Sequence, residues 1–436
     1  LSDGLKLWRG IMQWLGGIGI IVMGIAILPF LKVGGMRLFH TESSDWSDKV
    51  MPKTGGIAKA TLSIYVGFTP LARADEPKSL PDYAAWKERN ALIVHSSNTM
   101  ETERGAIGNG VITPSDRLFV RNNLPAPPAT ITDDPDAWEV NIEGVRNPRK
   151  LTVGELKSMG VTTVASVLQC SGNGRAFFPH GASGTQWSVG AAGCVMWTGV
   201  PLKDVVEALG GPDSAARYIT STGGESLPEG LDPKTIVVER SVPTRALESA
   251  LLAWEMNDEP MPHTHGGPLR MVVPGYYGVN NVKYVKTIAF TENQTDAKIQ
   301  ASGYRIRDVG EKGSPDQPSM WEMNVKSWVT APLESGRSGR NMIYGVAFGG
   351  TVALDRVEVS VDGGKNWKQA RFLGPDLGPY AWRPFVMAAD LSPGEYRIVS
   401  RATDTEGNSQ PEGRTENERG YGHNGWNDHG VTVTVS

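Results

Sequence analysis

The segment Gln169-Cys170-Ser171-Gly172-Asn173-Gly174-Arg175 constrains this chain more than any other. An apolar, β-prone run from Val164 to Leu168 feeds into it, and two glycines and an arginine come after the cysteine. A strand end that delivers one soft thiolate to a Gly-rich turn, with a cation five residues on, suits a metal held at a pocket mouth. A buried structural thiol is the simpler use of such a residue, so the rest of the chain has to separate the two readings. Cys170 and Cys194 are the only cysteines in 436 residues. That count leaves no disulfide framework, no four-cysteine zinc or iron–sulfur site and no C-x-x-C-H for a haem. A redox cofactor must then be bound by other means, and its electrons must leave to a separate molecule.

The formal charge of −4, with 21% charged residues, gives no basic footprint, so no nucleic acid partner is expected. The length suffices for two or three domains. With 52 glycines and 29 prolines the composition favours a loop-rich α+β or β protein over a helical bundle.

Ile11 to Leu31 carries no charge over about twenty residues, enough to cross a bilayer as a helix. The polar stretch after it holds Lys32, Arg37, Lys49, Lys53 and Lys59, which would place it in the cytoplasm. A second apolar run, Ala60 to Leu71, ends in Ala72-Arg73-Ala74 before Asp75 and reads like a signal-peptide end. The chain beyond residue 75 is therefore expected outside the cytoplasm. Residues 115 to about 290 mix short strands with helical pieces such as Leu202 to Leu209, and Pro274-Gly275 marks a tight turn. From about residue 300 the pattern is all-β. Val357 to Val361 alternates, Asp362-Gly363-Gly364-Lys365 turns, and Asn366-Trp367 resumes as a hairpin. With Glu395 to Val399 and Val431 to Val435 this predicts a small β-sandwich.

Two resemblances rest on motifs. Trp8-Arg9, Gln13 to Ile20, Gly34-Gly35-Met36 and Thr41-Glu42-Ser43-Ser44 resemble part of a Trk-type potassium-uptake membrane subunit. That resemblance runs to about Gly67 and covers one span and part of another, so no transport is expected from it. Residues 1–67 are read as a transporter-like fragment joined to an unrelated enzyme, with a membrane anchor as the alternative, and 68–74 as a signal-peptide-like remnant.

The second resemblance is to the molybdenum enzymes of the sulfite oxidase family. Leu118-Phe119-Val120-Arg121-Asn122-Asn123-Leu124-Pro125 is similar to the family's R-N-H-L-P segment, with Asn123 where many members have His. The Cys170 segment resembles its cysteine loop. His265 to Gly275 followed by Asn281-Val282-Lys283 resembles its pterin-holding segment, and Arg419-Gly420 with Trp426 its last active-site arginine. The resemblance implies a mixed α/β molybdopterin-binding domain over 75–295 and an immunoglobulin-like β-sandwich dimerisation domain over 296–436, hence a homodimer. It implies Cys170 as the one protein ligand to molybdenum, a soft thiolate for a metal already held by sulfur. Arg270, His265 and Lys283 would hold the pterin phosphate. Phe119, Arg121, Asn122, Asn123, Glu225, Asn281 and Val282 would complete the cofactor site.

Substrate preference rests on the arginines. Sulfite is a small anion with no apolar part to grip, so its site needs donors that stay charged, which favours Arg over Lys. Arg121, Arg175 and Arg419 match three arginines that the resemblance places around the anion. The implied reaction is oxidation of sulfite to sulfate, with a separate c-type cytochrome as acceptor and no haem on this chain. A sulfoxide or nitrate reductase and a sulfane dehydrogenase subunit are the alternatives. Two departures stand out. Ala253-Trp254-Glu255-Met256-Asn257 carries tryptophan where the family commonly has tyrosine, so that either Trp254 fills the space or another group takes over. Ser183 stands where some members have lysine. Cys194, His180, His423 and His429 are read as structural.

Overall fold

The computed structural model describes residues 79–436, which form one compact unit. The transporter-like and signal-peptide-like readings lie outside the described residues. Within these residues the expected α+β class holds: five sheets carry the structure, and the two α-helices, Val153–Met159 and Leu202–Ala208, are seven residues each. The first helix is started by a capping box, in which Thr152 accepts from the Glu155 amide and Glu155 accepts from the Thr152 amide. The second occupies the position expected from its apolar spacing.

Three sheets precede residue 300. Leu92–Ser96, Thr99–Thr102 and Val120–Arg121 pair antiparallel, which anchors Arg121 at a sheet edge opposite Thr99. A second sheet orders Glu259–Pro260, Leu251–Met256, Ala192–Pro201 and Thr162–Gln169, with Arg270–Val272 also pairing on Leu251–Met256. Its strand Thr162–Gln169 is buried continuously from Ala165, because both faces are covered, and so reads as an unbroken β-prone run rather than an alternating one. The third sheet mixes directions, with Glu139–Glu143 parallel to Val285–Thr291 and Tyr218–Gly223 antiparallel to both Val285–Thr291 and Glu239–Pro243.

From residue 326 two sheets face each other. One orders Lys326–Ala331, Gly339–Phe348, Arg383–Leu391 and Arg371–Phe372. The other orders Ser335–Gly336, Val431–Val435, Gly394–Asp404, Leu354–Ser360 and Lys368–Gln369. Val329, Ile343 and Phe385 of the first meet Val357, Ile398 and Val433 of the second in one core. The alternation expected for strands of a sandwich is present, as in Val431–Val435 with odd residues in and even residues out. The hairpin resumes later than its sequence predicts, at Lys368 rather than Asn366. The Asp362 carboxylate accepts from the Lys365 and Asn366 amides and from the Asn366 side chain, which keeps those residues in the turn.

Candidate functional site

Strand Thr162–Gln169 ends at the cysteine. The Cys170 amide still donates to the Ala191 carbonyl (2.9 Å), one residue beyond the strand ladder, and Cys170 is buried among Leu118, Phe119, Leu168 and Trp187. The loop then closes on itself, with the Asn173 amide donating to the Cys170 carbonyl (3.0 Å). The Asn173 side chain clamps the neck by donating to Gln169 Oε1 (3.0 Å) and accepting from the Ala191 amide (3.1 Å). Gly174 turns the loop at φ +103°, and a Cβ there would strike the His423 ring. Gly172 lies against the Arg175 guanidinium, where a Cβ would approach Nη2 to 2.5 Å.

Cys170 opens on a cleft. Its wall includes Phe119, Arg121, Asn122 and Asn123 from one segment, and Cys170 and Ser171 from the cysteine loop. Glu225, His265, Arg270, Asn281, Val282 and Lys283 come from three others. All eleven residues expected to bind the cofactor therefore lie on one surface, although five stretches of chain supply them. The segment after Arg270–Val272 builds its floor. Arg270 donates to the Asn281 (3.1 Å) and His265 (2.8 Å) carbonyls, and Asn281 Oδ1 accepts from the Val273 amide (2.8 Å). Tyr284, also on the wall, holds φ +50°, a strained conformation for a bulky residue, fixed by its hydroxyl donating to the His263 carbonyl (2.7 Å).

Electrostatically the cleft is a cation cluster. Lys283 Nζ donates to Asn122 Oδ1 and to the Thr264 carbonyl, both at 2.6 Å. Burial, reinforced by Arg270, holds its ammonium well below its ordinary value. Burial lowers Arg270 to about 10. Burial and the cations Lys87, Lys283 and Arg270 keep His265 neutral. The one acid on the wall, Glu225, is pushed up to about 7 by burial, with Lys283 and Arg270 opposing that shift.

These residues fit an anionic, many-armed cofactor. Four buried wall atoms, Asn123 Oδ1, Ser171 Oγ, Glu225 Oε2 and His265 Nε2, have no hydrogen-bond partner within the protein. Buried polar atoms are normally satisfied, and mutually repelling buried cations call for a negative ligand. A phosphate-bearing heterocycle offers both the charge and the ring donors and acceptors. Among the described residues no three His, Cys, Asp or Glu side chains converge as a metal site, so a metal at this cleft would need ligands brought by its cofactor.

Arg175 and Arg419 are brought together, but not onto the wall. Arg175 Nε donates to the Arg419 carbonyl (2.8 Å), and both guanidiniums lie over the ring of Tyr421, at 5.3 Å and 5.7 Å. Tyr421 stacks in turn on Tyr304, which does line the cleft. Neither tyrosine stands out in the sequence. Tyr304 lies between the two recognisable motif regions, and only the glycines flanking Tyr421 mark it. Trp254 is buried in Leu251–Met256 and is not among the residues of the cleft wall. Cys194 is buried under Thr113, as expected of a structural thiol.

Residues 126–299 match the family described as oxidoreductase molybdopterin binding domain, and residues 317–435 the Mo-co oxidoreductase dimerisation domain. The sulfite oxidase of Gallus gallus is 31% identical over 78% of this chain and 78% of its own. Human mitochondrial sulfite oxidase is 33% identical over 79% of this chain, which spans 66% of that protein's length. A crystal structure of the sulfane dehydrogenase SoxCD from Paracoccus pantotrophus superposes with a TM-score of 0.65 at 25% identity, over 86% of this chain and 98% of that one. A stretch of 102 residues, 23% of this chain, is 96% identical to the Trk system potassium uptake protein TrkI of Halomonas elongata, covering 20% of it. By the cleft, the two domain matches and these relatives, the chain belongs to the sulfite oxidase family of molybdopterin-binding oxidoreductases.

Proposed function

We propose that this protein oxidises sulfite to sulfate at a molybdenum–molybdopterin centre and passes the electrons to a separate c-type cytochrome. The observation that carries the reading is the convergence of the Cys170 thiol with Arg121, Arg270 and Lys283 on one cleft. In the net reaction sulfite takes one oxygen from water and releases two electrons and two protons. The bound group supplies the oxygen-atom transfer and the two-electron redox change.

The chain's own residues bind and orient. Cys170 ligates the metal from a loop that Asn173 keeps rigid. Arg270, Lys283 and neutral His265 hold the phosphate, and Glu225 and Asn123 take the ring's donors. Arg121 meets cofactor and substrate, while Arg175 and Arg419 set the positive field that draws a dianion. Residues 75–295 serve as the catalytic domain and 296–436 as the dimerisation domain of a homodimer working in the periplasm. The signal-like end at Ala72-Arg73-Ala74 supports that location. No helix among the described residues is long and apolar enough to cross a membrane.

The likeness to SoxCD favours a second reading, oxidation of a sulfane sulfur by a subunit of a larger complex. Both are tested on the purified full chain and its Cys170→Ser variant by molybdenum analysis and sulfite-dependent reduction of cytochrome c. Molybdenum with sulfite activity in the first, and loss of activity in the second, is the expected result. Metal-loaded protein that ignores sulfite but oxidises protein-bound sulfane sulfur would replace the first reading by the second. A folded chain that takes up no molybdenum overturns both.

A further inference from the structure

Lysine side chains almost never go fully inside a protein without a partner of opposite charge. Lys326, at the start of strand Lys326–Ala331, is 1% exposed. Its Nζ donates to the Asn173 carbonyl (2.9 Å), the residue that clamps the cysteine loop. An ammonium carries three donors, and this is its one hydrogen bond among the described residues. The ring of Trp328 lies 5.9 Å from Nζ. Among the described residues no carboxylate forms an ion pair with it. The titratable groups around it are Cys170, which favours the charge, and the imidazoles of His423 and His429, which are kept neutral by burial. Burial alone drives the ammonium down to about 7. A buried cation in this position costs stability unless an anion compensates it, and the described residues provide none beyond the thiol at the cleft.

We propose that Lys326 is the counter-charge of the metal centre: a positioning residue beneath the cysteine loop that compensates the electron-rich, sulfur-ligated group and raises its reduction potential. The inference rests on the molybdenum reading above. A positive charge in a low-dielectric interior stabilises the more electron-rich state of a neighbouring redox group, which gives the sign, and the electron-rich group in turn favours the protonated form of Lys326. The same charge lacks compensation when the cofactor is missing, so its effect on stability depends on cofactor loading. A residue that merely packs would behave alike in both forms.

The test uses the full chain produced with and without molybdopterin synthesis, as wild type, Lys326→Met and Lys326→Arg. Lys326→Met is expected to raise the melting temperature of the cofactor-free protein and to shrink the gain that cofactor binding confers. In the loaded protein it is expected to shift the metal's midpoint potential downward, with Lys326→Arg keeping the wild-type potential. A loaded wild type in which Lys326→Met leaves the potential unchanged, or lowers both melting temperatures equally, overturns the inference and leaves the molybdenum reading standing. A wild type that takes up no metal overturns that reading and the inference with it.

Discussion

The rings of Tyr304 and Tyr421 lie face to face, with centroids 5.2 Å apart and planes 7° from parallel. The contact joins the cleft to the two arginines behind it. Arg240 lies over Tyr304 at 5.6 Å, held by the Asn280 side chain and the Ile299 carbonyl, and Arg175 and Arg419 lie over Tyr421. The result is a column of cation, ring, ring and paired cations. Each guanidinium faces an electron-rich ring, which offsets part of the cost of burying several positive charges so close together. The Gly422 amide donates to the Ser171 carbonyl (2.9 Å), so the same column is tied to the residue after Cys170.

Tyr421→Leu is expected to weaken anion binding while leaving metal content intact. Stacking contributes about 0.5–1.5 kcal/mol and a partly desolvated cation–π contact about 1–2 kcal/mol, so KM for sulfite should rise roughly tenfold. Tyr421→Phe keeps the ring and should stay close to wild type. Steady-state kinetics with parallel molybdenum analysis decides it. Equal KM values in the two variants would refute the coupling.

The column also marks the limit of what the sequence discloses. Cys170 is legible because a β-prone run, a thiol and two glycines are contiguous, and such local patterns survive in one dimension. Most residues of the cleft wall are legible because they sit within short recognisable segments, as Arg121, His265 and Lys283 do, whereas Glu225 belongs to none. Tyr304 and Tyr421 are not, since their contact joins segments far apart in the chain and an isolated tyrosine has no pattern. Lys326 is hidden for the opposite reason. A lysine opening a strand reads as a solvent-facing residue, and only the cysteine loop packed over it makes it buried. The hairpin after Ser360 is legible but the start of its return strand is not, because the reach of the Asp362 carboxylate is a side-chain property.

Lys283→Met should strip the protein of its cofactor. The ammonium sits among Asn122, Thr264 and Arg270, and a charge-assisted hydrogen bond to phosphate contributes about 1.5–3 kcal/mol. Cofactor affinity should then fall roughly ten- to a hundredfold. Metal analysis after gel filtration measures the loss, and full molybdenum occupancy would remove Lys283 from the phosphate site.

Acid should weaken the fold through the imidazoles beneath the cysteine loop. His423 and His429 pack with centroids 4.7 Å apart. Burial pulls His423 down from 6.5 to about 4, against its bond to Asp428, and holds His429 well below 6.5. A depressed histidine contributes stability that is present above its unfolded value and lost as pH falls toward its folded one. Between about pH 6.5 and 4 each pH unit should cost about 1.4 kcal/mol per histidine. Denaturant unfolding of wild type and His423→Gln at pH 7 and pH 5 checks this. The variant should show the shallower loss, and parallel slopes would disprove it.

The sandwich offers a face for the proposed homodimer. In strand Gly339–Phe348, Met342 and Tyr344 are 39% and 41% exposed while Ile343 between them is fully buried. They pair across to Ala388 and Val386 of Arg383–Leu391, in the middle strands of that sheet and not at its edge. Large apolar side chains on the outer face of a finished sandwich add nothing to its own core, and such a patch marks an interaction site. The match of residues 317–435 to a dimerisation domain makes a second copy the occupant expected. Sedimentation equilibrium should find wild type as a dimer and Met342→Asp/Tyr344→Asp as a folded monomer with unchanged molybdenum content. A variant that stays dimeric would move the contact to another face of the sandwich.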